Sequence, residues 1–136
     1  MPTYDAIRFT PPAPLAFVTL RNPVTGASAT DVPMLLDSGA DVSLVPRLVV
    51  LQLGVSIDPA AVHELMGFDG NRSSAQAVHF DLVFLKRTFR GRFLLSDQEC
   101  GILGRDVLNH ITLLLDGPNM TWNERAQPSG SNRVYQ

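Results

Sequence analysis

Short apolar runs bounded by turn residues recur along this chain, the pattern of strands rather than of long helices. Leu15 to Leu20 reads as a first strand, Asn22-Pro23-Val24-Thr25-Gly26 as a turn, and Val32 to Leu36 as the core of a second strand. Val42 to Val45 continues as a strand. Pro46 then suits the first turn of a helix running to about Leu53 and stopping at Gly54, although Val49 and Val50 favour a strand instead. Leu48, Leu51 and Leu53 are expected to pack into the core. From Val62 to Val83 the pattern is two strands around the turn Gly67-Phe68-Asp69-Gly70-Asn71. Ala77 to Leu85 and Thr88 to Leu95 are further strand segments. Ser96 to Glu99 is a polar turn, Arg105 to Asn109 one or two helical turns, and His110 to Asp116 a last buried strand.

The ends of the chain differ from its middle. Residues 1–14 hold Pro2, Pro11, Pro12 and Pro14, which remove donors and resist both helix and central strand, so an extended arm is expected there. Residues 118–136 are polar and rich in Asn, Pro, Ser and Gly, and read as a partly disordered tail in which Trp122 alone could anchor on the body. That leaves residues 15–117 as a single domain.

Composition narrows the function classes. With 136 residues, 45% hydrophobic and 18% charged, the chain fits one globular domain with a true core. A formal charge of −2 offers no basic footprint for nucleic acid, and the basic run Lys86, Arg87, Arg90, Arg92 reads as a solvated strand pair. Cys100 stands alone, which excludes an internal disulfide and any Cys-pair zinc site and favours a reducing, cytoplasmic compartment. No apolar run approaches the ~20 residues of a membrane span, and the first residues lack the basic and apolar regions of a signal peptide.

The stretch that carries chemistry is Leu35-Leu36-Asp37-Ser38-Gly39-Ala40-Asp41. An apolar strand there runs straight into a carboxylate at the edge of a core, a costly placement unless the acid has a partner or a task. Gly39 permits a sharp turn or close approach, and Ser38 supplies a hydroxyl. By itself Asp-Ser-Gly is also ordinary turn chemistry. A second segment, Gly101-Ile102-Leu103-Gly104-Arg105-Asp106, repeats the design of branched apolar residues followed by glycine. Together the two motifs, at this spacing, resemble the retropepsins, the single-domain aspartic proteases of retroviruses and their cellular and bacterial relatives. The resemblance covers roughly Leu15 to Gly117.

It implies an all-β fold with one or two short helices: a closed, barrel-like acid-protease lobe, one per chain, in a two-fold homodimer. The helix after Pro46 is favoured because bacterial relatives commonly carry one. Only one Asp-Ser-Gly is encoded, so a second carboxylate would come from a second copy, with the two-fold axis between the two Asp37 side chains. Like charges a few ångströms apart do not both ionise cheaply, so the pair would share one proton, activate a water between them and hydrolyse a peptide bond without metal or cofactor. By the same resemblance Ser38 locks the two loops across the axis, and Gly39 and Asp41 bind the backbone of an extended polypeptide. Ala40 and Ile102 line the pocket, and Arg105 pairs with Asp41. The amino-terminal arm joins the dimer in some relatives. Gly67, Phe68 and Asp69 would form the tip of a flap over the substrate, although retropepsin tips are usually richer in glycine; beyond the resemblance, the Asp69 carboxylate either favours closure in acid or simply suits the turn.

Other chemistries fit worse. No His has the context of a serine-protease base, Cys100 reads as inert core, and His79 with Asp81 supplies only two ligands on one strand face. The serious rival is a dimeric module of the same fold that grips or tethers peptide without cutting it.

Overall fold

The proline-rich start of the chain folds back on itself: Tyr4–Asp5 (β1) pairs antiparallel with the beginning of Ala13–Arg21 (β2), Tyr4 lying opposite Pro14. The turn is held by the Asp5 carboxylate, which accepts the amides of Ile7 and Arg8 at 2.7 and 2.9 Å and the Arg8 guanidinium at 2.6 Å. The computed structural model describes residues 2–57, 62–66, 70, 72–125 and 134–135.

Along β2 the residues Ala16, Val18 and Leu20 are buried while Phe17 is largely exposed, the period of two that lets one face of a strand cover a core. Ser28–Leu36 (β3) pairs with it, setting Val32 opposite Val18 and Met34 opposite Ala16, so both strands bury the same face. Leu44–Pro46 (β4) leads into Arg47–Gln52 (α1), closed by Gly54 at φ +70°. On this short helix Val50 and, just after it, Leu53 turn inward. Leu48 and Leu51 point to solvent, 72% and 50% exposed, contrary to the expectation that all three leucines join the core. Six helical residues present only one narrow stripe, and the valine at the fourth position takes it.

Val62–Met66 (β5) and Arg72–Phe84 (β6) form an antiparallel hairpin, and Arg87–Ser96 (β7) returns along β6. The predicted flap-tip residues Gly67, Phe68 and Asp69 lie outside the described residues. Val78, Phe80, Leu82 and Phe84 are buried at alternate positions of β6, and the Phe80 and Phe93 rings meet at 4.8 Å between centroids. Each such side chain is worth about 2 kcal/mol in area removed from water. Gly101–Leu103 (β8), Arg105–Leu108 (α2), Leu113–Asp116 (β9), Thr121–Glu124 (β10) and Val134–Tyr135 (β11) complete the chain. The main sheet runs β1-β2-β3-β8-β4-β7-β6-β5, with β6 also pairing back to β2 and β11 running parallel to the start of β7.

Two segments differ from expectation. The strand predicted over residues 110–116 is shorter and not buried: β9 exposes Leu114 and Leu115 and, among the described residues, pairs only with β10 in a separate two-stranded sheet. Residues 121–124, which read as tail, form β10. Trp122 is buried there, its indole Nε1 donating to the Leu15 carbonyl at 2.9 Å. One aromatic anchor with its N–H satisfied outweighs the polarity of its neighbours.

The basic run is not simply a solvated face either. Arg87 is buried and ion-paired to Glu124, and Arg90 joins Arg21 on Asp81. Register explains the second cluster, because Arg21, Asp81 and Arg90 sit opposite one another across β2, β6 and β7. Asp81 is 1% exposed and accepts Arg90 Nε at 2.9 Å and Arg21 at 3.2 Å. The Arg90 hydrogen bond, more than Arg21, holds its carboxyl below the usual aspartate value of 3.8. A depressed folded value means that the stabilisation is complete above pH 3.8 and disappears as pH falls through the folded value. Asp81→Asn is therefore expected to cost about 2 kcal/mol at pH 7. Thermal melts against pH should show the wild type losing its margin over the variant below about pH 4.

Candidate active site

The site is assembled where β3 ends. Strand β8 lies between β3 and β4, parallel to the first with Leu35 beside Ile102, and antiparallel to the second with Leu44 beside Ile102. The loop from Asp37 to Ser43 must therefore cross the end of β8 to reach β4. This crossing fixes the backbone. Asp37 N donates to the Leu103 carbonyl at 3.0 Å, extending the ladder by one residue, and Arg105 N donates to the Ala40 carbonyl at 2.8 Å. A Cβ on Gly104 would stand 2.7 Å from the Val42 carbonyl oxygen and 2.9 Å from that of Ala40, so only glycine lets the two segments touch.

Within the loop, Gly39 N donates to Asp37 Oδ1 at 2.9 Å and Ala40 N to the Asp37 carbonyl at 3.2 Å. The carboxylate is thus oriented by its own turn and remains half exposed. Ser38 is exposed, and among the described residues its hydroxyl has no hydrogen-bond partner. Arg105 does not reach Asp41. Its guanidinium donates instead to the Ser38 carbonyl at 2.7 Å, and among the described residues no ion pair joins it to Asp41, which is exposed. Arg105 opens a helix of one turn, and from that position its side chain lies over the loop's second residue rather than its fifth. Ala40 and Ile102 are half-buried beside the loop.

A supporting pair was not anticipated from sequence. Asp106 accepts the amide of Ser43 at 3.0 Å through Oδ2 and its hydroxyl at 2.7 Å through Oδ1, and Ser43 Oγ accepts Gly104 N at 2.9 Å. Ser43 is fully buried, so the hydroxyl satisfies an amide that would otherwise be orphaned. Residues 63 positions apart meet here, and the only sequence signal is an acid in the first turn of α2.

Beside the loop, a cavity of about 410 Å³ is lined by Leu35, Ile102, Gly101, Cys100, Glu99, Gln98, Arg8 and Phe9. Asp37 stands outside this cavity. Cys100 is partly buried in the wall, and burial pushes its thiol up, which makes it a poor nucleophile. Among the described residues no group of His, Cys, Asp and Glu could hold a metal ion, and no helix is long and apolar enough to cross a membrane.

This mainly β arrangement, with an Asp-bearing loop crossing Gly104 just beyond a central strand, has the fold of a solved retroviral protease. Among solved structures it is similar to EIAV protease complexed with the inhibitor HBY-793, with a TM-score of 0.56 and 23% identity over 72% of this chain and 86% of that one. A retropepsin-like aspartic protease from Rickettsia conorii aligns over 77% of this chain and 88% of its own, at 14% identity and a TM-score of 0.47. Scanned against family models and against curated proteins, the sequence matches none.

Proposed function

We propose that this chain is one subunit of a homodimeric aspartic endopeptidase. The observation that carries the reading is the state of the Asp37 loop: a carboxylate held by its own backbone, exposed on one side, with a free Ser38 hydroxyl next to it. A single barrel-like lobe therefore supplies half of a proton-sharing pair. In a two-fold dimer the second Asp37 would complete it, and the two Ser38 hydroxyls would bridge the loops.

In such a pair one carboxylate takes a proton from the water lying between them as it attacks the peptide carbonyl. The protonated partner hydrogen-bonds the developing oxyanion, and a proton passes to the departing amine. Gly39 and Asp41 would bind the extended polypeptide backbone, Ala40 and Ile102 would wall the pocket, and the β5–β6 hairpin would serve as the flap. Asp41, which makes no hydrogen bond or ion pair among the described residues, is available for that contact.

The test is activity against subunit concentration. Hydrolysis of an unfolded protein between about pH 4 and 7 should fall as the square of subunit concentration once the chain is diluted below the dimer's Kd. Sedimentation across the same dilutions should show the dimer disappearing in parallel. Full specific activity in a sample that sediments as a monomer would refute the reading.

A further inference from the structure

Asp81 alternates with the buried Phe80 and Leu82 of β6 and so lies on the outward face of the sheet, yet it is 1% exposed. Two guanidiniums enclose it. Arg90 takes both oxygens, Nε donating to Oδ1 at 2.9 Å and Nη2 to Oδ2 at 3.2 Å, while Arg21 Nη2 donates to Oδ2 at 3.2 Å. Apolar residues of similar size commonly hold strands together at least as well as such a cluster, so stability alone gives it little reason. What the cluster does supply is orientation. Both forks are fixed and partly open to solvent, and among the described residues Arg90 Nη1 and the Nε and Nη1 of Arg21 have no partner.

Arg92 adds a third fork. It stands two residues beyond Arg90 on β7 and so shares its face, about 7 Å along the strand, with His79 opposite it on β6. Arg92 is exposed and makes no hydrogen bond or ion pair among the described residues. Asp106 lines a cavity of about 120 Å³ with Arg90 and Arg92, but its oxygens accept from Ser43, and among the described residues no ion pair joins it to either arginine. The face therefore sets three guanidiniums against one contacting carboxylate, an excess of positive charge on a chain whose formal charge is −2. Forks at this spacing can both reach the oxygens of one tetrahedral oxyanion, and a phosphoryl group brings close to two negative charges. We propose that Arg21, Arg90 and Arg92, oriented by Asp81, form a binding site for a phosphoryl group, free or carried on a polypeptide. The site lies on strands other than the one that leads into Asp37, and it does not depend on the protease reading.

The experiment follows the arginine Nε–H resonances of the full chain by NMR at pH 7.5 and low salt. Titrants are inorganic phosphate, a phosphoserine peptide with otherwise neutral side chains, the same peptide unphosphorylated, a single-stranded oligonucleotide, and chloride at matched ionic strength. Phosphate and the phosphopeptide should shift Arg21, Arg90 and Arg92 together, with the unphosphorylated peptide and chloride without effect. Arg92→Gln, which removes no contact within the chain, should weaken both by about tenfold while leaving the melting temperature unchanged, and Arg92→Lys should restore part of the loss. Tighter binding of the phosphopeptide than of phosphate identifies a phosphorylated polypeptide as the ligand, and equal binding identifies the free anion. Shifts no larger than those from chloride, or equal in wild type and Arg92→Gln, overturn the site. An oligonucleotide that binds more tightly than either phosphate probe and needs Arg92 overturns the assignment to a doubly charged group.

Discussion

Asp37→Asn is expected to lower hydrolysis of an unfolded protein by about 10³-fold or more, because it removes both the base and the acid of the proposed symmetric pair at once. The same substitution should leave the fold intact. Asp37 is half exposed, and among the described residues its carboxylate accepts one hydrogen bond, from Gly39 N, which an amide oxygen accepts equally well. A stability change within about 0.5 kcal/mol follows, in the range of ordinary surface substitutions. Two readouts separate chemistry from assembly: sedimentation should show the proposed dimer undiminished, since the change relieves repulsion between like charges, while the initial rate at pH 5 collapses. Retained cleavage would mean that the activity belongs to another group or to a contaminant.

Gly104→Ala is expected to damage both the stability and the candidate site. The added methyl would meet the carbonyl oxygens of Val42 and Ala40 at 2.7 and 2.9 Å, and these are backbone atoms that cannot rotate aside. Overpacking of this kind costs about 3 kcal/mol, which lowers the Tm of a domain of this size by roughly 10 °C. The damage is also chemical. The strand and loop that would have to part are joined by Arg105 N to the Ala40 carbonyl, in the loop that carries Asp37. A displacement near 1 Å there should reduce kcat by about 10²-fold. Gly117→Ala is the control, since a Cβ at Gly117 meets nothing within 4 Å. Its melting temperature should match the wild type, and a Gly104→Ala protein that melts with it would show that the crossing is looser than these distances imply.

The flap and its acidic residue remain a proposal on the hairpin alone, because Gly67, Phe68 and Asp69 lie outside the described residues. The strands that would carry the tip are paired from Val62 opposite Gln76 to Met66 opposite Arg72.

Local chemistry determined a good deal of this protein. Short apolar runs bounded by turn residues marked β2, β3, β6 and β7, and the structure shows the buried face of each strand repeating every two residues. Gly54 marked the end of α1, and Asp-Ser-Gly after an apolar strand marked the site, since an acid at that depth needs a reason to be there. Other features had no local signal. The β6–β7 turn is made by Leu85 and Lys86, both at positive φ, residues that tight hairpin turns seldom use. The long pairing of Ala77 through Phe84 with β7 imposes that geometry on them. Asp81, which the sequence left without an assigned role, is neutralised by arginines from two other strands. Ser43 and Asp106, Trp122 and Leu15, and the loop crossing at Gly104 each join residues more than 60 positions apart. Periodicity and turn chemistry act over a few neighbours and could select the elements and the acid. Which groups meet across the sheet depends on register and crossing order, which exist only once the whole chain has closed on its core.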